Sequence, residues 1–212
     1  MGEEVLKTGT TTVGIVCKDG VILAADKRAT AGNMIVDKKA QKIHEITDAM
    51  ALTTAGTVSD IQLLVKLIRA EISLKKFRTG RKPTVKESAN LLAGMVYQNI
   101  RKMTWIPGVS HFILGGKDIS GFYIYDLFPD GSLTLCDKFI SSGSGSVFAY
   151  GVLETLYSSE LSVEDGVKLA VKAVSAALQR DSASGNGIDV VVIDGKGMRR
   201  VIEKELELKL EV

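Results

Sequence analysis

Apolar positions change their period along this chain, and the changes mark its elements. In 11–25, Val13, Ile15 and Cys17 alternate, Asp19-Gly20 signals a turn, and Val21-Ile22-Leu23-Ala24-Ala25 is an unbroken apolar run. That pattern predicts a hairpin whose second strand is buried. A second strand pair is expected over 42–45 and 50–54. The period then becomes helical: Ile61, Leu64, Val65, Ile68 and Ile72 fall on one face of a helix over 60–77. Leu63, Leu67 and Leu74 make a second stripe, so this helix is expected to be covered on two sides. Thr84 with Glu87 forms a capping box for the next helix, which carries Leu92, Met95, Val96 and Ile100.

Strands return over 111–116, 122–128 and 132–136, separated by turns that include Pro129-Asp130-Gly131. A helix is expected over 146–157. Another starts at the N-cap Ser162, with Glu164 and Asp165 in its first turn and Val167, Val171, Val174 and Leu178 as its apolar stripe. A last strand over 188–193 ends at Asp194-Gly195. In the tail, Leu206, Leu208, Leu210 and Val212 alternate as a strand would, while Ile202, Leu206 and Leu210 also fit a helix. Consecutive hairpins argue for antiparallel sheets rather than parallel crossovers. The order of strands, two helices, strands, two helices, strands predicts an α+β fold: a four-layer α/β/β/α sandwich. No linker or composition shift divides the chain, so a single domain is expected. Pattern alone leaves the function open.

Composition narrows the choice. A length of 212 residues with 45% apolar and 25% charged side chains suits a globular domain with a real core. A net charge of +2 is too small to favour nucleic acid as the main partner. The local basic run of Lys75, Lys76, Arg78, Arg81 and Lys82 reads as a solvated helix end and loop. Cys17 and Cys136 lie in strand-like stretches and are expected as buried free thiols. His44 and His111 stand far apart, with no metal-ligand spacing around either, so neither a metal nor a cofactor is expected. A serine or cysteine triad built on a histidine has no support in the spacing. No secretory signal and no apolar run of the ~20 residues needed to span a bilayer is present, so a cytoplasmic protein without membrane contact is expected.

The chemistry concentrates at Thr8-Gly9-Thr10-Thr11-Thr12-Val13-Gly14-Ile15. Threonine favours strands, and such a run is most often structural. Here, however, Gly-Thr-Thr-Thr-Val-Gly-Ile precedes Lys18-Asp19-Gly20-Val21-Ile22-Leu23-Ala24-Ala25-Asp26-Lys27-Arg28. Further on come Lys42, Ala55-Gly56, Ser142-Gly143-Ser144-Gly145-Ser146, Tyr150-Gly151-Val152-Leu153-Glu154 and Gln179-Arg180-Asp181-Ser182-Ala183-Ser184-Gly185. In this order and spacing the chain resembles a proteasome β-subunit of the archaeal type, within the N-terminal-nucleophile hydrolases.

The resemblance implies a threonine endopeptidase with Thr10 as nucleophile. Its base would be its own α-amino group, whose ordinary pKa of ~8 suits the task. That amine must be freed by autocatalytic cleavage at Gly9-Thr10, so residues 1–9 are expected to be a removable leader and 10–212 the protease domain. Thr8, Thr11 and Thr12 compete for the role, and the Gly-Thr junction selects Thr10. Lys42 matches the family's active-site lysine, though Lys38 and Lys39 stand beside it. Asp26 matches the acid that holds this lysine, and Arg28 a residue that supports the acid. Ser144, Asp181 and Ser184 match residues that orient the nucleophile from the other side. The Gly56 amide is the expected oxyanion donor. Ala29, Ala40, Thr54, Val58 and Gln62 are expected to line the pocket for the residue before the cut bond; being uncharged, they imply a preference for apolar residues there.

The resemblance further implies partners: other β-subunits in a heptameric ring, a ring of α-subunits, a regulatory ATPase acting indirectly, and unfolded proteins as substrates. Two other readings stay open: an inactive structural subunit of the ring, and another N-terminal-nucleophile amidohydrolase.

Overall fold

A computed structural model describes residues 9–105 and 107–206. Of the expected leader only Gly9 falls within them, and of the alternating tail only Leu206. The described chain opens with β1 (Thr12–Cys17) and β2 (Gly20–Asp26), then a short hairpin of β3 (Ala29–Ala31) and β4 (Met34–Asp37). β5 (Ile43–Thr47) and β6 (Met50–Gly56) lead to the helices α1 (Val58–Thr79) and α2 (Val85–Ile100). Four strands follow: β7 (Ser110–Asp118), β8 (Gly121–Leu127), β9 (Leu133–Cys136) and β10 (Phe139–Ser142). Helices α3 (Ser146–Leu156) and α4 (Val163–Arg180) precede the closing hairpin of β11 (Gly187–Asp194) and β12 (Gly197–Glu205).

Two antiparallel five-stranded sheets result, ordered β10-β1-β2-β11-β12 and β5-β6-β7-β8-β9. The unbroken apolar run of β2 now has a cause. Alternate side chains leave opposite faces of a strand, and both faces of β2 are covered. Ile22 and Ala24 pack with Ala170, Ala173 and Val174 of α4. Val21, Leu23 and Ala25 instead meet Ile43, Ala51, Ile113 and Ile124 of the other sheet. On the far side, Leu52, Phe112 and Leu114 pack under α1 and α2. The layers are thus helices, sheet, sheet, helices, the predicted α/β/β/α sandwich.

The helix signals are realised with instructive differences. The five residues Ile61, Leu64, Val65, Ile68 and Ile72 are the buried stripe of α1. Its second stripe is not covered by the described residues: Leu63, Leu67 and Leu74 are each more than 40% exposed. The Thr84 hydroxyl accepts from the Glu87 amide, and the Glu87 carboxylate accepts from the Thr84 amide, completing the capping box. Ser162 caps α4, and Asp19 in the β1–β2 turn accepts from the Val163 amide.

The buried face of α4 differs from the expected one. Gly166, Leu169, Ala170, Ala173, Val174 and Ala177 point inward, whereas Val167, Val171 and Leu178 are only half-buried. Small residues let the helix lie close on β1 and β2; a Cβ added at Gly166 would stand 2.5 Å from Ile22 Cδ1. Three strands gave no clear signal, and a fourth, β12, follows the strand expected to be the last. β3 and β4 are short and mostly exposed, and β10 has only four residues. Ile202 lies in β12, which excludes the helical reading of the tail at that point.

Cys17 is buried, and burial pushes its thiol up to about 12; Cys136 is only half-buried, and burial raises it too. The basic run ends α1, where Gly80 closes the helix in the left-handed region. Arg81 pairs with Glu87, and Lys82 with Asp48. Among the described residues no helix is long and apolar enough to cross a membrane.

Candidate active site

Thr10 precedes β1 and is 5% exposed. The ladder between β1 and β2 continues one step past Thr12 by a mixed bond pair. The Asp26 amide donates to the Thr11 carbonyl at 3.1 Å, and the Thr11 amide donates to Asp26 Oδ1 at 2.9 Å. This brings the carboxylate at the end of β2 beside the nucleophile candidate. Asp26 is fully committed: Oδ1 also accepts from Lys42 Nζ at 2.6 Å, and Oδ2 accepts from the Arg28 and Gly185 amides at 3.0 and 2.9 Å.

Lys42 stands just before β5, with its carbonyl accepting from the Thr54 amide of β6. It is 94% buried. Burial lowers its pKa from the ordinary lysine value, and the Asp26 carboxylate offsets only part of that fall. The short contact with Asp26 favours an ion pair, in which a buried ammonium keeps its charge. The neighbouring Lys38 and Lys39 are exposed, and Lys39 pairs with Glu205. Geometry therefore separates three lysines that sequence chemistry could not.

The far wall comes from the loop after β10 and the end of α4. Ser144 Oγ accepts from the Thr10 amide at 3.3 Å and donates to Asp181 Oδ2 at 2.7 Å. Ser184 Oγ donates to the same carboxylate oxygen at 2.6 Å. Gly143 has φ +92°, and a Cβ there would lie 2.1 Å from the Thr10 carbonyl oxygen, so the loop reaches Thr10 only as glycine. Gly56, at φ +124°, ends β6 and lines the same cavity as Thr10.

The Thr10 hydroxyl donates to the Gly9 carbonyl oxygen at 2.6 Å, and Lys42 Nζ donates to the same oxygen at 3.4 Å. A hydroxyl thus lies against the peptide group preceding it, and a buried cation polarises that group. These residues open on a cavity of about 390 Å³. Ala29, Ala40, Thr54, Val58 and Gln62 all line it.

Several lining or contacting residues carried no usable signal. Thr11 Oγ1 shares a 2.7 Å hydrogen bond with Ser184 Oγ. Thr30 Oγ1 accepts from the Gly9 amide at 3.0 Å. His44 and Asp37 also line the cavity, adding an ionisable ring and a carboxylate to a pocket expected from five uncharged residues. Arg28 supports Asp26 through its backbone and the neighbouring loop through its side chain. Its amide serves Asp26, while its guanidinium donates to the Ser182 carbonyl at 2.7 Å and to Asn186 Oδ1 at 2.8 Å. It braces the loop that carries Ser184. Thr11 or Thr30 could not be singled out because one threonine among several looks like any other strand threonine. Among the described residues no cluster of side chains suits a metal ion.

Comparison with known proteins gives a concordant result. The family model described as "Proteasome subunit" matches residues 6–193. The proteasome subunit beta of Archaeoglobus profundus is 47% identical over 199 residues, covering 94% of this chain and 91% of that protein. That of Archaeoglobus fulgidus is 44% identical over 207 residues, covering 98% and 95%. That of Methanocaldococcus fervens is 44% identical over 200 residues, covering 94% and 88%.

Proposed function

The chain belongs to the proteasome subunit family, as a β-type peptidase subunit of the core particle, and from that premise we propose that it is a threonine endopeptidase with Thr10 as nucleophile. The observation that carries this reading is the enclosure of Thr10 between two polar groups. The Lys42–Asp26 ion pair lies on one side, and Ser144, Asp181 and Ser184 lie on the other.

Residues 1–9 are a leader that the site removes itself. The Thr10 hydroxyl attacks the Gly9 carbonyl carbon, whose oxygen faces Lys42 Nζ. The hydroxyl proton passes to the Thr10 nitrogen, whose bond to the Gly9 carbon breaks as an ester to Oγ1 forms. Water then cleaves the ester, leaving Gly9 with a carboxylate and Thr10 with a free amine.

In the mature site that amine takes the hydroxyl proton as Oγ1 attacks a substrate carbonyl, then returns a proton to the departing amine. Lys42 lowers the cost of charge on Oγ1. Ser144 holds the amine, with Asp181 and Ser184 behind it. The Gly56 amide faces the developing oxyanion. Water releases the acyl group and regenerates Thr10.

The pocket of Ala29, Ala40, Thr54, Val58 and Gln62 takes the residue before the cut bond. His44 is held neutral there, because burial and the Arg69 and Arg200 cations push it down to about 4. Apolar residues are the preferred occupants. We further propose assembly with other β-subunits in a heptameric ring against α-subunit rings, fed with unfolded proteins by an ATPase in the cytoplasm.

Thr10→Ala tests the assignment, assayed in the assembled particle on peptides ending in Leu, Phe, Arg and Glu. The expected result is retention of residues 1–9 and loss of at least ~10³-fold in activity; the wild type should favour Leu and Phe. A processed and active Thr10→Ala would refute the nucleophile. An inactive wild type would make the chain a structural subunit, and dominant cutting after Arg or Glu would refute the pocket.

A further inference from the structure

The layer between the two sheets is apolar along most of its extent. Near the active-site end it is crossed by three polar side chains. His111 of β7 places Nε2 at 2.6 Å from Asp126 Oδ1 of β8 and Nδ1 at 2.7 Å from Ser142 Oγ of β10. Their faces agree with the strand periods. Ile113 and Ile124, each two residues from a member of the chain, pack in the interlayer cluster, and Ile140, two before Ser142, packs against it. The His111 ring also stacks on Phe128, with centroids 4.8 Å apart.

Serine, histidine and aspartate in hydrogen-bonded series invite comparison with a hydrolytic triad. Position argues against that here: Thr10 lines the cavity described above, and none of these three residues does.

The connection is structural in a more specific way. His111 lies opposite Ala55 in the β6–β7 ladder, one pair from Gly56 and Ser110. Ser142 lies opposite Thr12 in the β1–β10 ladder and runs directly into Gly143-Ser144, where Ser144 receives the Thr10 amide. One sheet thus carries the oxyanion donor and the other carries the nucleophile and its Ser144 wall. The Asp126–His111–Ser142 chain ties them together beside both.

We infer that His111 is a positioning residue for the peptidase. Through Ser142 it fixes the loop holding Ser144 against the strand end holding Gly56, and so sets the gap a tetrahedral intermediate must fill. The inference rests on the peptidase reading of Thr10. The chemistry suits a permanent tie. Asp126 as a carboxylate only accepts, so Nε2 carries the proton. Nδ1 accepts from the Ser142 hydroxyl when the ring is neutral and donates to it when the ring is charged. Both bonds can form in either state.

The test compares Ser142→Ala, Ser142→Thr, His111→Ala, His111→Gln and Thr10→Ala in assembled particles, by kcat and KM on one peptide and by thermal melting. Ser142→Ala removes one hydroxyl and leaves the His111–Asp126 pair intact, so it folds independently of the fate of His111→Ala. The expected result is kcat about 10-fold lower in Ser142→Ala with KM within two-fold and melting nearly unchanged, since a small misplacement of reacting groups acts on kcat. Ser142→Thr and His111→Gln, which keep hydrogen-bonding groups, should recover most of the loss. His111→Ala and the double variant with Ser142→Ala should lose similar amounts, because the two residues act as one tie. Full kcat in Ser142→Ala, or losses that multiply in the double variant, would overturn the inference. Activity in Thr10→Ala would overturn the peptidase reading and this one with it. An inactive Thr10→Ala beside a fully active Ser142→Ala would overturn this one alone.

Discussion

His44 shows how one side chain gains a measurable signature from its surroundings. Burial, with Arg69 and Arg200 nearby, pushes its imidazole from the ordinary 6.5 down to about 4. The unfolded chain takes up a proton as pH falls through 6.5, while the folded chain holds off until about 4. Between those values the unfolded state binds more protons, so stability must fall as pH falls. The slope from this one group is at most roughly 1.4 kcal/mol per pH unit. Above 6.5 both states are neutral and His44 adds no pH dependence. Urea titrations at pH 7, 6 and 5 should show a smaller loss for His44→Gln than for the wild type, and equal losses would contradict the depressed value. The same neutrality means that the His44 ring adds no charge to the cavity at neutral pH. Lys42 is a contrasting case: burial lowers its pKa too, but a carboxylate at 2.6 Å opposes that fall.

Helix α4 shows what patterning can and cannot settle. The chain's apolar period located the helix, and Ser162 marked its start. It did not locate the buried face, because the bulkier Val167, Val171 and Leu178 outweighed glycine and alanine in the stripe. Close approach to β1 and β2 selected the small residues instead. Enlarging that stripe should therefore be costly. Ala173 is fully buried, and Ala173→Leu should destabilise the fold by about 1–3 kcal/mol through overpacking. Val171→Leu, on the half-buried face, should cost less than half as much in the same denaturation experiment. Equal costs would place the buried face where the valine pattern put it.

Legibility differs between fold and site for physical reasons. Strands covered on both faces, such as β2 and β11, announce themselves by unbroken apolar runs. The exposed strand pair β3–β4 has no such face to read. At the site, Thr10, Asp26, Lys42, Ser144, Asp181 and Ser184 came by resemblance, since no local rule makes one threonine or lysine stand out. Thr30, His44 and the His111 tie depend on which strands become neighbours, which no short sequence window contains.

At the scale of the whole molecule, strand pairing brings together groups separated by more than a hundred positions, as with Thr10 and Ser144 at a separation of 134. Membership in the proteasome subunit family implies assembly with further subunits in the core particle. The stripe of Leu63, Leu67 and Leu74 on α1, with Phe77 at 89% exposed, is apolar surface that the described residues do not bury. If the leader is removed only within the particle, a free subunit carries no amine on Thr10 and no base for its hydroxyl. Catalysis then belongs to the assembly, although every reacting group proposed here lies in one chain.

The most direct test is covalent. Assembled particles would be treated with a peptide bearing a carbonyl-directed electrophile, and the adduct located by mass spectrometry of proteolytic fragments. The expected result is one adduct per active subunit, on Thr10, in a chain that begins at Thr10. An adduct on any other residue, or on Thr10 with residues 1–9 still attached, would contradict a nucleophile that works through its own free amine.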